Sequence, residues 1–214
     1  MVLPYNKDIA CGLVISGKLG EIDMIINANQ RNTTVNIAIT GLMGALVLVG
    51  TYLNIPIPVL GDKTMIGLGN VFCILSGLIL GPIYGGAAAG IGSFIFDLIG
   101  GWASSAPFTL AFKFLMAFVC GIIAYSGGKT ASKLSRLIIA AVCGSLTYCA
   151  LYLGYSYVKE LLIGSALPVI NAKITVKAAT TLTNAVIADV VSIPLFLTVR
   201  NALVKNHVQG KLNH

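Results

Sequence analysis

The stretch GSFIFDLIGGWASSAPFTLAFK, residues 92–113, holds Asp97 and Lys113 inside apolar runs. A formal charge in hydrocarbon costs about 3 kcal/mol on insertion scales and more in simulations, so such groups face a protein interior or a wet cavity. Other polar residues gather at the same end of the apolar segments. Asn70 enters one run, Trp102, Ser104 and Ser105 follow Asp97, and Thr109 and Lys113 stand four apart on one helical face. Lys173, Lys177 and Asn184 enter the last run from that end, and Asp189 lies deeper. Together these groups offer a carboxylate, ammonium ions, amides, hydroxyls and an indole, a set that captures a polar solute by hydrogen bonding and stacking. Each also has a structural reading. Asp97 and Lys113 can pair to hold the fold, Lys177 can snorkel, Trp102 can anchor an interface, and Asp189 can join two helices.

Bond-breaking chemistry finds little support. His207 and His214 both lie in the polar tail, and no apolar run offers a His/Cys/Asp/Glu cluster, so neither a metal site nor a Ser–His hydrolase is expected. Asp97 and Asp189 raise the thought of an intramembrane aspartyl protease, but GLGN and GIGS place Asn70 and Ser93 where an acid is wanted. Gly128, Lys129 and Thr130 resemble the end of a phosphate loop, yet Ile123 stands where that loop needs glycine. The fragment reads as a basic turn. No cofactor is expected.

The elements that position these residues are membrane spans. Of 214 residues, 57% are hydrophobic and only 10% charged, against about 25% charged in a soluble domain. Spans of about 20 apolar residues are expected at 34–53, 64–80, 82–99, 107–125, 137–162 and 174–199. Gly81-Pro82 breaks the second from the third, since glycine ends helices and proline begins them. Residues 100–107, 126–136 and 164–172 read as loops. The five cysteines, Cys11, Cys73, Cys120, Cys143 and Cys149, form no Cys-x-x-Cys pair and read as small packing residues. The expected fold is an all-α membrane protein, a six-helix bundle over residues 33–205 with a polar tail at 206–214.

The net charge of +7 is read by position. Lys7, Lys18, Arg31, Lys129, Lys133, Arg136, Arg200, Lys205 and Lys211 fall on one side of a six-span chain. The positive-inside rule places that side, and both termini, in the cytoplasm. Lys63, Lys159 and Lys173 lie opposite, with Asp62 and Glu160 beside two of them. Residues 1–32 have no long apolar core and read as a dispensable cytoplasmic extension, disordered or the product of an upstream start with Met24 as the true one. Small residues recur at four-residue spacing, as at Gly41 and Ala45, Gly77 and Gly81, and Gly86 and Gly90. Such faces let helices approach closely within the bundle or against a partner protein.

The block MIGLGNVFCILSGLILGPIYGGAAAGIGSFIFDLIGGWASSAPFTLAFKFLMAFVCGIIAY resembles the S components of energy-coupling factor (ECF) transporters, the substrate-capture subunits of bacterial vitamin importers. The features that carry the resemblance are LGN, LILGPIYGG, GIGSFIFD ending at Asp97, and APFTLAFK. The resemblance implies six helices in the bacterial cell membrane and an outer pocket. It also implies a partner, the ECF module of a membrane scaffold and two ATPases. The polar residues that converge at one end of the spans, Asn70, Asp97, Trp102, Thr109, Lys113, Lys177 and Asn184, are the candidate substrate-binding residues. Ala38, Gly41 and Ala45 match the face of the first helix that meets the scaffold, although Leu42 interrupts the strict Ala-xxx-Ala form. The implied mechanism is that the loaded subunit docks, reorients in the membrane and releases its vitamin when the ATPases act.

Two other classes stand beside this one. A self-sufficient channel or secondary carrier would show charge rings or inverted repeats, which are not visible here. A membrane-embedded enzyme lacks its histidine and metal motifs. Lys113 and Lys177 suit an anionic vitamin such as pantothenate, whereas Trp102 suits a pyrimidine, pyridine or flavin ring. The residue types lean towards pantothenate or a pyrimidine or pyridine precursor.

Overall fold

The structure, a computed structural model, describes residues 34–59, 62–126 and 134–205. The N-terminal extension, the Gly128–Thr130 fragment with Lys133, and the polar tail lie outside the described residues.

Among the described residues five helices are long and apolar enough to cross a membrane. They are α1 (Thr34–Tyr52), α2 (Gly69–Ile99), α3 (Ala106–Tyr125), α4 (Leu134–Leu162) and α5 (Leu167–Lys205). A two-stranded antiparallel hairpin, β1 (Asn54–Val59) and β2 (Asp62–Gly67), stands between α1 and α2. The sequence reading missed it and began a helix at residue 64. The segment Asn-Ile-Pro-Ile-Pro-Val cannot enter a helix, because Pro56 and Pro58 lack the N–H and clash with the preceding turn. Their two-residue spacing is tolerated on an edge strand, where alternate residues turn away from the partner. The register runs from Asn54 opposite Gly67 to Val59 opposite Asp62. The helix at 167–172 is a second correction, since a loop was expected to residue 172.

Helix α2 contains the break read from the sequence. Gly81 has φ 77° and ψ −169° inside it, a backbone open to glycine and strained for other residues, and Pro82 follows. The two arms fold back on each other. A Cβ on Gly85 would lie 2.5 Å from the Ser76 carbonyl oxygen and 2.7 Å from Gly77 Cα, so the backbones touch. Further along, Cys73 and Ser93 meet at 3.9 Å. The break frees carbonyls that lipid cannot satisfy. The Tyr125 hydroxyl meets two of them, 2.9 and 3.0 Å from the carbonyls of Leu78 and Ile79. The Ser76 hydroxyl, 2.9 Å from the Gly85 carbonyl, ties one arm to the other.

Helix α3 packs along the folded α2, with Gly121 against the break itself. The core between α1, α2, α3 and α4 holds Val47, Ile74, Leu78, Met116 and Leu137, together with several buried alanines. Asp189 on α5 accepts a 2.7 Å hydrogen bond from the Ser145 hydroxyl on α4, the helix–helix contact named among its sequence readings.

This packing predicts a steric limit. A Cβ at Gly121 would sit 2.6 Å from Pro82 N, against backbone that cannot swing away. Gly121→Val is expected to destabilise the bundle by about 1–3 kcal/mol, as overpacking does. The control is Gly41→Ala, where a Cβ meets nothing within 4 Å. Thermal unfolding in detergent should separate the two; equal melting temperatures would contradict the close α2–α3 approach.

Candidate functional site

The fold-back of α2 carries Asn70 and Asp97 to the same end of the bundle, although they lie at opposite ends of one helix. Both line a cavity there with Thr109 and Lys113 of α3, Trp102 of the α2–α3 connection, and Lys177 and Asn184 of α5. All seven residues singled out in the sequence therefore share one cavity. The β-hairpin supplies Thr64, Met65 and Gly67 to its wall, and α4 supplies Tyr148, Tyr152, Tyr155, Ser156 and Lys159.

The charges do not pair as the sequence suggested. Among the described residues no ion pair joins Asp97 to Lys113. Lys113, 8% exposed, donates instead to Asn70 Oδ1, and its ammonium lies 4.2 Å from the centre of the Tyr148 ring. A buried ammonium needs such partners, because desolvation without them costs more than any one contact returns. Asp97, 5% exposed, stands beside the Thr109 hydroxyl, in the electrostatic field of Lys113. The cavity thus holds a carboxylate and an ammonium close together but unmerged, each with hydrogen-bonding capacity left over.

Asn184 takes a role that the sequence did not reveal. Its Oδ1 accepts from the Gly67 N–H at 3.0 Å, and its Nδ2 donates to the Met65 carbonyl at 2.7 Å. Lys177 is buried in the cavity wall, not extended to an interface. The loop from α4 into α5 is tied by Glu160, which accepts from Ser165 Oγ and Lys173 Nζ, both at 2.9 Å.

The sequence reading also missed the tyrosines. Tyr148, Tyr152 and Tyr155 stand four and three residues apart, so one face of α4 presents all three. The rings of Tyr148 and Tyr152 stack with centres 5.8 Å apart, and Tyr155 stacks on Phe108 at 4.5 Å. A second aromatic pair lines the same cavity: Trp102 leans on Phe96 at 5.8 Å, and Phe96 meets Tyr52 edge-on at 5.1 Å. The spacing was visible, but the aromatic face lay hidden in an apolar span. The resulting site is a polar end flanked by flat rings. Among the described residues no three His, Cys, Asp or Glu stand close enough to hold a metal ion.

Residues 31–201 match the family model described as the ECF-type riboflavin transporter, S component. An "Uncharacterized protein in gap 3'region" of Pyrococcus woesei is 30% identical over 108 residues, covering 50% of this chain and 70% of that protein. Among solved structures, one described as the S component of a bacterial ECF transporter superposes with a TM-score of 0.59. It covers 80% of this chain and 98% of its own at 18% identity, a likeness of fold.

The Lys113–Asn70 contact yields a stability prediction. Asn70→Ala strips the buried ammonium of its acceptor and should cost about 1.5–3 kcal/mol, the range for hydrogen bonds to charged groups. The double variant Asn70→Leu with Lys113→Met removes both partners and should recover part of that loss. The check is melting temperature in detergent, and an Asn70→Ala protein as stable as the parent would place the ammonium's main partner elsewhere.

Proposed function

The chain belongs to the ECF-type riboflavin transporter S component family, and from that premise we propose that it captures riboflavin in the cavity and imports it with an ECF module. As a family member it is a substrate-binding transporter subunit and not an enzyme, and it is a multi-pass membrane protein. S components bind small vitamins and work with an ECF module. The vitamin, the module's composition as a scaffold and two ATPases, and the pocket roles are the proposal.

The observation that carries it is the pairing of flat rings with a mixed donor–acceptor end in one cavity. Riboflavin has a fused three-ring system, one edge bearing two carbonyls and an N–H, and a polyhydroxylated chain. The ring fits against the α4 tyrosines and Trp102 by offset or edge-on stacking. The carbonyl edge meets Lys113, and the N–H meets Asp97. The chain hydroxyls meet Ser104, Ser105, Lys159 and Lys177 near the mouth. This aromatic wall favours a flavin over the small anion or single-ring precursor to which the residue types alone lean.

In this reading the chain crosses the membrane six times, with the arms of α2 as separate passes, and both termini are cytoplasmic by the positive-inside rule. The arm at 69–80 rises about 18 Å at 1.5 Å per residue, short of a hydrocarbon core of about 30 Å. The hairpin before it spans the remaining depth, on the outer side, where it walls the pocket. Ala38, Gly41 and Ala45 are exposed on α1, and Gly41 has open space beside it. Such a small-residue face admits close approach by a scaffold helix.

Two measurements test the proposal. Titration of the purified protein with riboflavin, read by quenching of flavin fluorescence, should show one saturable site. Lys113→Met should weaken it about tenfold to hundredfold, the value of a hydrogen bond from a charged donor. Unchanged affinity in a folded variant would assign Lys113 to structure alone, and no binding by the parent would reject the flavin. Separately, Gly41→Leu with Ala45→Leu should abolish co-purification with the ECF module and riboflavin uptake while leaving riboflavin affinity as in the parent. Intact assembly of that double variant would reject the docking face.

A further inference from the structure

The hairpin β1–β2 forms part of the cavity wall, yet none of its described apolar side chains is fully buried: Ile57, Met65 and Ile66 are half-buried. An isolated two-stranded hairpin is marginal on its own, and Ile55 in β1 is 71% exposed. What fixes it to the bundle is a short row of polar contacts along one face of α5. Asn184 grips β2 through both ends of its amide, at Gly67 N–H and Met65 carbonyl. One turn earlier, the Thr180 and Thr64 hydroxyls meet at 3.2 Å, both buried. Lys177, Thr181 and Asn184 line the cavity from the same helix. On α5 the residues that form the wall thus stand next to those that hold its cover, and Asn184 belongs to both.

We infer that Asn184, supported by Thr180, is a positioning residue that latches the hairpin over the cavity and thereby sets how fast ligand enters and leaves. Its place on the cavity wall makes it read as a ligand contact, but its amide oxygen and nitrogen are both engaged by the β2 backbone. Backbone partners make the latch indifferent to the side chains of β2 and sensitive to its register. Slipping β2 by one residue would present the amide with a mismatched pattern of donors and acceptors. Few buried apolar contacts and a handful of hydrogen bonds define a unit that opens at low free energy while the bundle stays folded. The inference rests on the cavity being the capture site, but the hold on the hairpin can be read without any ligand.

The test is hydrogen exchange on the full chain in lipid nanodiscs, free of ligand, paired with the release rate of bound riboflavin. Asn184→Ala removes two hydrogen bonds and should speed exchange across residues 62–67 about tenfold, with α5 and the melting temperature close to the parent. Riboflavin release should quicken by a similar factor, and its association should quicken too, which loss of a ligand contact would not produce. Thr180→Val, milder and nearly isosteric, should shift the same readouts in the same direction by a smaller factor. Unchanged exchange over residues 62–67 in both variants overturns the latch whatever the ligand does. Faster exchange without faster release, in protein that binds riboflavin, overturns it as well. Should the parent bind no riboflavin, the flavin reading falls separately, and the exchange result alone decides whether Asn184 holds the hairpin.

Discussion

Everything at the polar end of this bundle depends on the reversal of α2 at Gly81. Positive φ there lets the chain double back, and the absence of side chains at Gly85 and Gly121 lets three backbones meet around the break. Membrane helices gain little from burying apolar surface against one another, since lipid is as apolar as leucine, so close van der Waals approach must supply the association. The freed carbonyls of Leu78 and Ile79 are met by the Tyr125 hydroxyl, which offsets part of the cost of interrupting a helix in hydrocarbon. With the arms joined, Asn70 and Asp97 become neighbours at the far end, and Lys113 reaches Asn70 from α3.

That geometry explains how two opposite charges can share a low-dielectric cavity without collapsing into a salt bridge. Lys113 is occupied by an amide oxygen and a ring face, and Asp97 by a hydroxyl. A fully merged pair would be neutral, self-satisfied and of little use to a ligand. Kept apart on different helices, the two groups present a donor and an acceptor together. The same end is closed by a hairpin whose polar attachment to α5 contrasts with the apolar packing below it. Glycines thus bring α2 and α3 into backbone contact, whereas hydrogen bonds from Asn184 and Thr180 hold β2 to α5.

Much of this was legible in the sequence, and the misses have physical causes. Long apolar runs mark the helices because nothing else of that length is tolerated. Asp97 and Lys113 mark the site because charges inside such runs need a reason. Gly81-Pro82 marks the break. The hairpin was overlooked because Ile55 and Ile57, alternating with Pro56 and Pro58, make too short a pattern of period two to stand out between two spans, and Thr64–Gly67 run directly into the next apolar stretch. The tyrosines at 148, 152 and 155 were overlooked because aromatic residues in a span read first as packing. The partner choice of Lys113 was beyond the sequence, since charge favours Asp97 and only the relative placement of α2 and α3 favours Asn70. Asn184 was read as a ligand contact because its partners are backbone groups of a strand, and backbone leaves no mark on composition.

The central claim is that the cavity between α4, the α2–α3 connection and the hairpin receives a flavin ring with its carbonyl edge towards Lys113 and Asp97. The measurement that tests it most directly is an experimental structure of the protein purified with riboflavin. The account predicts a planar density between the Tyr148–Tyr155 face and Trp102, its heterocyclic edge within hydrogen-bonding distance of Lys113. A flavin seated elsewhere on the molecule, or inverted with its chain beside Lys113, would contradict it.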